Sequence, residues 1–317
     1  MPESPPARGP ILAGADLAAA DGCRRSASMT QLQDRCLAAE ELILRHDVRG
    51  ISALADLLDP GYLARVAGTL TRPETRLLLG TGFLVIGSGR AETDGPLGAR
   101  AICDAVRLSG GRVCVVCDEP TVEVVGAAIG DAAEIAVMPI GDDDQARIWS
   151  NVQRTRFRAN AVGFIERCGR DADGVFHSMH GADISAVTAR TDYLISPSVA
   201  SFSIGDGGNE VGFGRFEQAL RERGITRWPS GSAVGELIIA SVSNWGGYAL
   251  AAAIAWTAGL PLDRVLPDSD QFTRRVERLL DAGAVDGMSG LSERKVDGRE
   301  LDAEFAVLEE LRRIGSG

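Results

Sequence analysis

The sequence predicts a doubly wound α/β fold, a mostly parallel sheet flanked by helices with an N-terminal helical cap. Two observations lead there. Between about Arg76 and Leu260, short apolar runs alternate with stretches of helical spacing, the order that successive βα units produce. Hydrophobic content of 45% and charged content of 24% are those of a globular chain, and no apolar run approaches the ~20 residues that span a bilayer.

Residues 1–28 are rich in Pro, Ala, Gly and Ser with scattered Arg, which suits a disordered tail. Ile11-Leu-Ala-Gly-Ala is too short for a signal-peptide core, and Asp16 and Asp21 argue against a transit peptide. From Thr30, read as a cap, Leu32, Cys36, Ala39 and Ile43 recur at helical spacing, and a second helical stretch covers Ser52 to Leu58. Strands are expected at Leu77–Gly80, Arg112–Cys117, Ile135–Pro139, Ala161–Ile165, Asp192–Ile195, Phe202–Gly205 and Leu237–Ser241. The intervening helices are expected at Leu97–Ser109, Thr121–Gly130, Asp143–Arg158, Val211–Arg223, Trp245–Ala258 and Asp268–Asp281. With no internal repeat or low-complexity linker, residues 29–317 read as one domain.

Charge and residue usage remove several functions. A net charge of -11 repels a phosphate backbone, so nucleic acid is not an expected partner, nor is a membrane. The six cysteines lack paired-knuckle spacing and fit a reduced, cytoplasmic protein. Cys114 and Cys117 lie in one strand, where side chains three apart face opposite ways, so they read as core. Lys295 is the only lysine, which removes a Walker-type phosphate loop and leaves one candidate for a pyridoxal Schiff base. Gly80-Thr-Gly82 and Gly87-Ser-Gly89 do not continue as a dinucleotide fingerprint.

In doubly wound sheets ligands bind beyond the carboxyl ends of the strands, so the loops there are the candidates. The densest is Gly205-Asp-Gly-Gly-Asn-Glu210. Its glycines imply positive φ or a ligand against bare backbone, and Asp206, Asn209 and Glu210 add polar groups. A tight turn with a capping Asn209 is the structural alternative. If a helix follows directly, Glu210 stands in its first turn facing Asp206 at the strand tip. Glu92 and Asp94 precede a helix whose first turn holds Pro96 and whose N–H groups face an anion, although acids there also complement the helix dipole. Glu166, Arg167, Arg170 and Asp173 crowd one loop, where an arginine fork can hold a carboxylate, or the charges can pair among themselves. His177 and His180 lack a third metal ligand. Asn244 caps a helix whose Gly246–Gly247 pair lets it approach a neighbour or ligand closely.

Four stretches, Glu92-Thr-Asp-Gly-Pro96, Glu166 to Arg170 with Asp173-Gly174, Gly205 to Glu210, and Ser243-Asn-Trp-Gly-Gly-Tyr-Ala-Leu250, resemble the C-terminal domain of the D-glutamate cyclase family, in the family's order. The resemblance covers roughly residues 34–312 and includes His46-Asp-Val-Arg-Gly-Ile51 and Met288-Ser-Gly290. Larger members carry an additional N-terminal domain without a counterpart in this sequence. The resemblance implies ring closure of D-glutamate to 5-oxo-D-proline and water, and the expected substrate is D-glutamate or a close analogue. That chemistry needs a held α-carboxylate, a deprotonated amine and a protonated or polarised γ-carboxyl. Arg167 or Arg170 suits the first task, and acids among Glu166, Asp206 and Glu210 suit the others. Glu92, Asp94, Asp173, Gly207, Gly208, Asn209 and Asn244 complete the expected substrate site. No cofactor is required, although Mg or Mn held by Asp206 and Glu210 is an alternative polariser. A small amino acid is the expected partner, and a homo-oligomer stays open. The competing reading is a non-catalytic protein that cradles a small anion or dicarboxylate at the helix starts after Asp94 and Asn244.

Overall fold

The computed structural model describes residues 14–317. In chain order it contains α1 (Gly14–Ile43), α2 (Tyr62–Leu70), β1 (Arg76–Thr81), β2 (Leu84–Val85), β3 (Arg90–Ala91), α3 (Pro96–Leu108), β4 (Arg112–Asp118), α4 (Val122–Ile129), β5 (Glu134–Met138), α5 (Asp143–Phe157), β6 (Ala161–Ile165), β7 (Ala200–Gly205), α6 (Glu217–Glu222), β8 (Glu236–Ile239), α7 (Ser243–Ala258), α8 (Ser269–Asp281), β9 (Lys295–Val296), β10 (Arg299–Glu300) and α9 (Leu301–Ser316). A six-stranded sheet of order β5-β4-β1-β6-β7-β8 is parallel throughout. The chain winds outward from β1 through β4 to β5, then crosses to begin again at β6 on the other side of β1. That reversal places the crevice of the fold between the ends of β1 and β6.

Both faces of the sheet are covered, which is why its strands read as continuous apolar runs rather than alternating ones. Leu77, Leu79, Val115 and Cys117 enter the larger core with α3, α4 and α7, while Leu78, Cys114, Val116 and Phe164 enter the smaller core beneath α5. Cys114 and Cys117 thus face opposite sides, as strand geometry requires. Buried on nearly every side from Ser243 to Ala255, α7 is the central helix. Its approach to α3 is set by glycine: a Cβ on Gly247 would lie 2.6 Å from the Gly98 Cα.

Three expectations change. The first helix begins at Gly14 rather than at Thr30, so it runs through the second half of the stretch read as a tail, whose first 13 residues lie outside the described residues. Asp192–Ile195 is no strand: Asp192 to Leu194 lie in a short 3-10 turn, Thr191–Leu194, with Ile195 following it, because Asp192 is tied to Arg170 and Leu194 fills the core under α5. The helix expected from Val211 starts only at Glu217, after a 3-10 turn over Gly214–Phe216. Upstream, the N–H of Val211 goes to the Arg167 carbonyl and those of Gly212 and Gly214 to Ser232. Gly212 at φ 113 breaks the helical path.

Candidate active site

The starts of α3 and α7 cap each other. Asp94 accepts from the N–H groups of Ser243 and Asn244 at 2.9 and 2.7 Å, and Asn244 Oδ1 accepts from those of Gly95 and Gly98 at 3.0 and 2.7 Å. Each side chain therefore satisfies orphan donors of the opposite helix. Asn244 was expected to cap its own helix, but the Gly98–Gly247 approach brings Asn244 and Asp94 each within reach of the other's helix start. The N–H groups that an anion cradle would need are consumed by this exchange.

Three carboxylates converge beside that junction, with one oxygen each from Asp94, Glu166 and Asp206 lying within 4.8 Å of one another. Glu166 directly follows β6 and Asp206 directly follows β7, so both stand at carboxyl ends of the sheet. Glu166 takes φ 43, a left-handed backbone unusual for a residue with a side chain. Gly95 makes room for it, since a Cβ there would come 2.5 Å from the Glu166 Cβ. Glu166 is only 7% exposed, and its Oε2 has no hydrogen-bond partner.

Charge is concentrated here beyond what is neutralised nearby. Burial drives the Glu166 carboxyl well above its ordinary range, and Asp206, Glu210 and Glu92 push it further. Asp206 is raised well above its range by burial too, against the pull of Arg49. Glu92 is raised by burial and then by Asp94, and Asp94 is pushed up to about 7 by burial and Asp297. The counter-charge is Arg49. Its Nη1 lies 2.5 Å from Asp206 Oδ2 as an ion pair and donates to Asp297 Oδ2 at 2.8 Å, while Nη2 donates to Asp297 Oδ1. Although burial alone would lower Arg49, Asp206 and Asp297 hold it firmly protonated. Asp297 reaches it from the turn of the β9–β10 hairpin, where Asp297 and Gly298 have φ 52 and 75, the positive pair that a tight Asp-Gly hairpin turn demands.

The other expected site residues stand elsewhere. Arg167 is buried and fully committed, donating to Asp118 at 2.5 Å and to the Gly82 and Ala189 carbonyls at 2.8 and 2.9 Å. Arg170 pairs with Asp192 at 2.6 Å and lies over the Tyr193 ring, and Asp173 is exposed. Neither arginine is left to hold a substrate carboxylate. His177 Nε2 donates to Asp171 Oδ2 at 2.9 Å and the ring stacks on Trp228, and His180 is exposed.

Glu210 turns away from the cluster. Without a helix behind it, its carboxylate folds back and accepts from the backbone N–H groups of Asp206, Gly207 and Gly208 at 3.0, 2.7 and 2.7 Å. It thereby fixes the loop that presents Asp206, and it is not among the three converging oxygens, so Asp206 and Glu210 do not turn their carboxylates to one shared point. Gly207 and Gly208 spend their N–H groups on Glu210, and Asn209 donates to the His177 carbonyl at 2.9 Å. Replacing Glu210 by Gln leaves one acceptor oxygen for three buried donors. The change is expected to cost about 1–3 kcal/mol in urea unfolding, and an unaltered midpoint would show that the loop holds itself.

With this geometry in view, comparison with known proteins decides the family. A profile described as D-glutamate cyclase-like, C-terminal, matches residues 40–312. The chain belongs to this family. It is also similar to the Homo sapiens protein named "D-glutamate cyclase, mitochondrial", at 32% identity over 182 residues, 51% of this chain and 29% of the human one. The chain thus matches under a third of that relative's length. Among the described residues, no helix is long and apolar enough to cross a membrane. The loops that carry the family resemblance meet at one place. Glu92 and Asp94, Glu166, Asp206 and Asn244 come from four separate stretches and close around the β1–β6 crevice. Arg49 and Asp297 were missed as site residues. Arg49 lies in the His46–Ile51 stretch that shares the resemblance, and its lone positive charge there was the available signal; Asp297 had only the Asp-Gly turn dipeptide, which marks a hairpin and not a site.

Proposed function

We propose that this chain is an enzyme, a lyase that closes D-glutamate, or a close analogue, into its lactam, 5-oxo-D-proline for D-glutamate, with loss of water. The observation that carries the reading is the Asp94–Glu166–Asp206 convergence at the sheet's switch point, beside a single guanidinium. Ring closure forms the bond between the amine nitrogen and the γ-carbon and breaks one γ-carbon–oxygen bond. Two protons leave the nitrogen, one stays on it, and two reach the departing oxygen, so the site ends with the protons it began with. Buried carboxyls with raised affinities can hold and pass such protons at neutral pH. Asp206, whose charge Arg49 favours, suits the role of acceptor from the ammonium, and Glu166, with no cation in contact, suits the role of donor to the leaving oxygen. The substrate's ammonium adds a positive charge that the crowded carboxylates favour.

The capped helix starts offer few free donors, which supports this reading over a small-anion cradle. Buried, unpaired thiols at Cys36, Cys103, Cys114, Cys117 and Cys168 support placing the protein in a reducing compartment such as the cytoplasm. Incubating the full chain with each glutamate enantiomer, with and without Mg²⁺ or Mn²⁺, should yield 5-oxoproline from the D form on chiral chromatography. No lactam from either enantiomer under any of these conditions would remove the proposal.

A further inference from the structure

We infer that Asp94, Glu166 and Asp206 form a binding site for one divalent cation of the Mg²⁺ or Mn²⁺ class. Their converging oxygens span at most 4.8 Å, a separation that one small cation can bridge by drawing them in, and every donor is a hard carboxylate oxygen, the set such cations prefer. Glu166 supplies the independent sign. Its Oε2 is buried, without a partner, and belongs to a side chain directed into the cluster; a buried carboxylate oxygen with no donor is costly unless a ligand completes it. Gly95 and the positive φ of Glu166 hold it in that position.

Local charge accounting agrees. Arg49 contacts Asp206 and Asp297, while Asp94 is oriented by three backbone N–H groups and Glu166 has no cationic contact. Asp94, so anchored, resembles a ligand whose orientation is set from behind. Three protein oxygens leave coordination positions open for water or for a substrate carboxylate. The proposal deepens the cyclase reading at the same site. A bound cation would polarise the γ-carboxyl and take over from the Glu166 proton the neutralisation of the departing oxygen.

Manganese binding tests this without turnover. The full chain is stripped with a chelator, dialysed, and titrated with Mn²⁺ while the free ion is followed by electron paramagnetic resonance. Saturation at one Mn²⁺ per chain, competed by Mg²⁺, is expected. Glu166→Gln and Asp206→Asn should each weaken binding at least tenfold, and Asp131→Asn, at a carboxylate 91% exposed, should not change it. Thermal unfolding runs alongside. Mn²⁺ should raise the wild-type midpoint but not that of Glu166→Gln, whose metal-free midpoint should be no lower than wild type; Asp206→Asn provides the reading if that variant fails to fold. No saturable binding by the wild type, or the same isotherm in both cluster variants, overturns the site. Bound Mn²⁺ with no lactam formed defeats the cyclase reading and leaves the cation site standing, whereas lactam formed by chelated protein that binds no Mn²⁺ does the reverse.

Discussion

Glu166→Gln is expected to lower kcat for lactam formation by on the order of 10²-fold or more, the scale of a lost general acid or base, while leaving the fold at least as stable. Gln keeps the volume and an oxygen at the end of the chain but neither ionises nor binds a cation well. The two effects separate because Glu166 Oε2 has no partner to lose, whereas its charge is repelled by Asp206, Glu210 and Glu92. Stability gives the sign of the repulsion. A carboxyl raised in the folded state binds more protons folded than unfolded, so its contribution is fully present below the ordinary carboxyl range near pH 4 and is lost as pH rises through the folded value. With Glu166 well above that range and Asp94 at about 7, metal-free wild type should lose stability from about pH 4 to beyond neutrality. In the Gln variant that decline should be shallower. Urea unfolding at several pH values, paired with kcat on the same samples, checks both halves; a stable variant with wild-type kcat would take Glu166 out of the chemistry.

Arg49→Met is expected to be the most destabilising single change at the site. Removing one partner from a buried ionic cluster typically costs about 3–5 kcal/mol, and here two carboxyls, Asp206 and Asp297, lose their cation together. Protonation relieves part of the loss. The deficit should therefore be larger at pH 8 than at pH 5, because the unpaired carboxyls take up protons more readily at the lower pH. Arg49→Lys should recover only part, since an ammonium cannot span both carboxylates as the guanidinium fork does. Adding Asp297→Asn to Arg49→Met should restore some stability, and the double-mutant cycle measures the coupling. Equal deficits at both pH values would show that packing of the Arg49 side chain, rather than charge, is what the protein loses.

Much of the fold could be read from the chain. The strands that became β1, β4, β5, β6, β7 and β8 were visible as short apolar runs, and α3, α4, α5, α7 and α8 as helix-spaced stretches between them. Failures came where local pattern and tertiary bonding disagree. Asp192–Ile195 is as apolar as a short strand, but Arg170 holds Asp192 in a turn. Val211–Arg223 has helical content, yet its first N–H groups find carbonyl partners in other loops. At the site, Glu92, Asp94, Glu166 and Asp206 were legible because acidic residues beside glycines at strand ends have few other uses. Arg167 and Arg170 read the same way but are paired with Asp118 and Asp192, and sequence spacing does not reveal that these acids lie within reach.

The sequence by itself determined the α/β class, the family resemblance and the loops that meet at the candidate site, because strand periodicity, glycine placement and charge are local properties. Only the tertiary structure decided which groups share a site. Glu210 and Asp206 are four residues apart and point to different tasks, while Asp94 and Asn244, 150 positions apart, cap each other's helices. Arg49 and Asp297 are separated by 248 positions and form one ion pair. The physical reason is that hydrogen bonding and charge pairing act over a few ångströms of space. The winding of β1 and β6 about the crevice, together with the glycine contact between α3 and α7, determines which residues fall within that range.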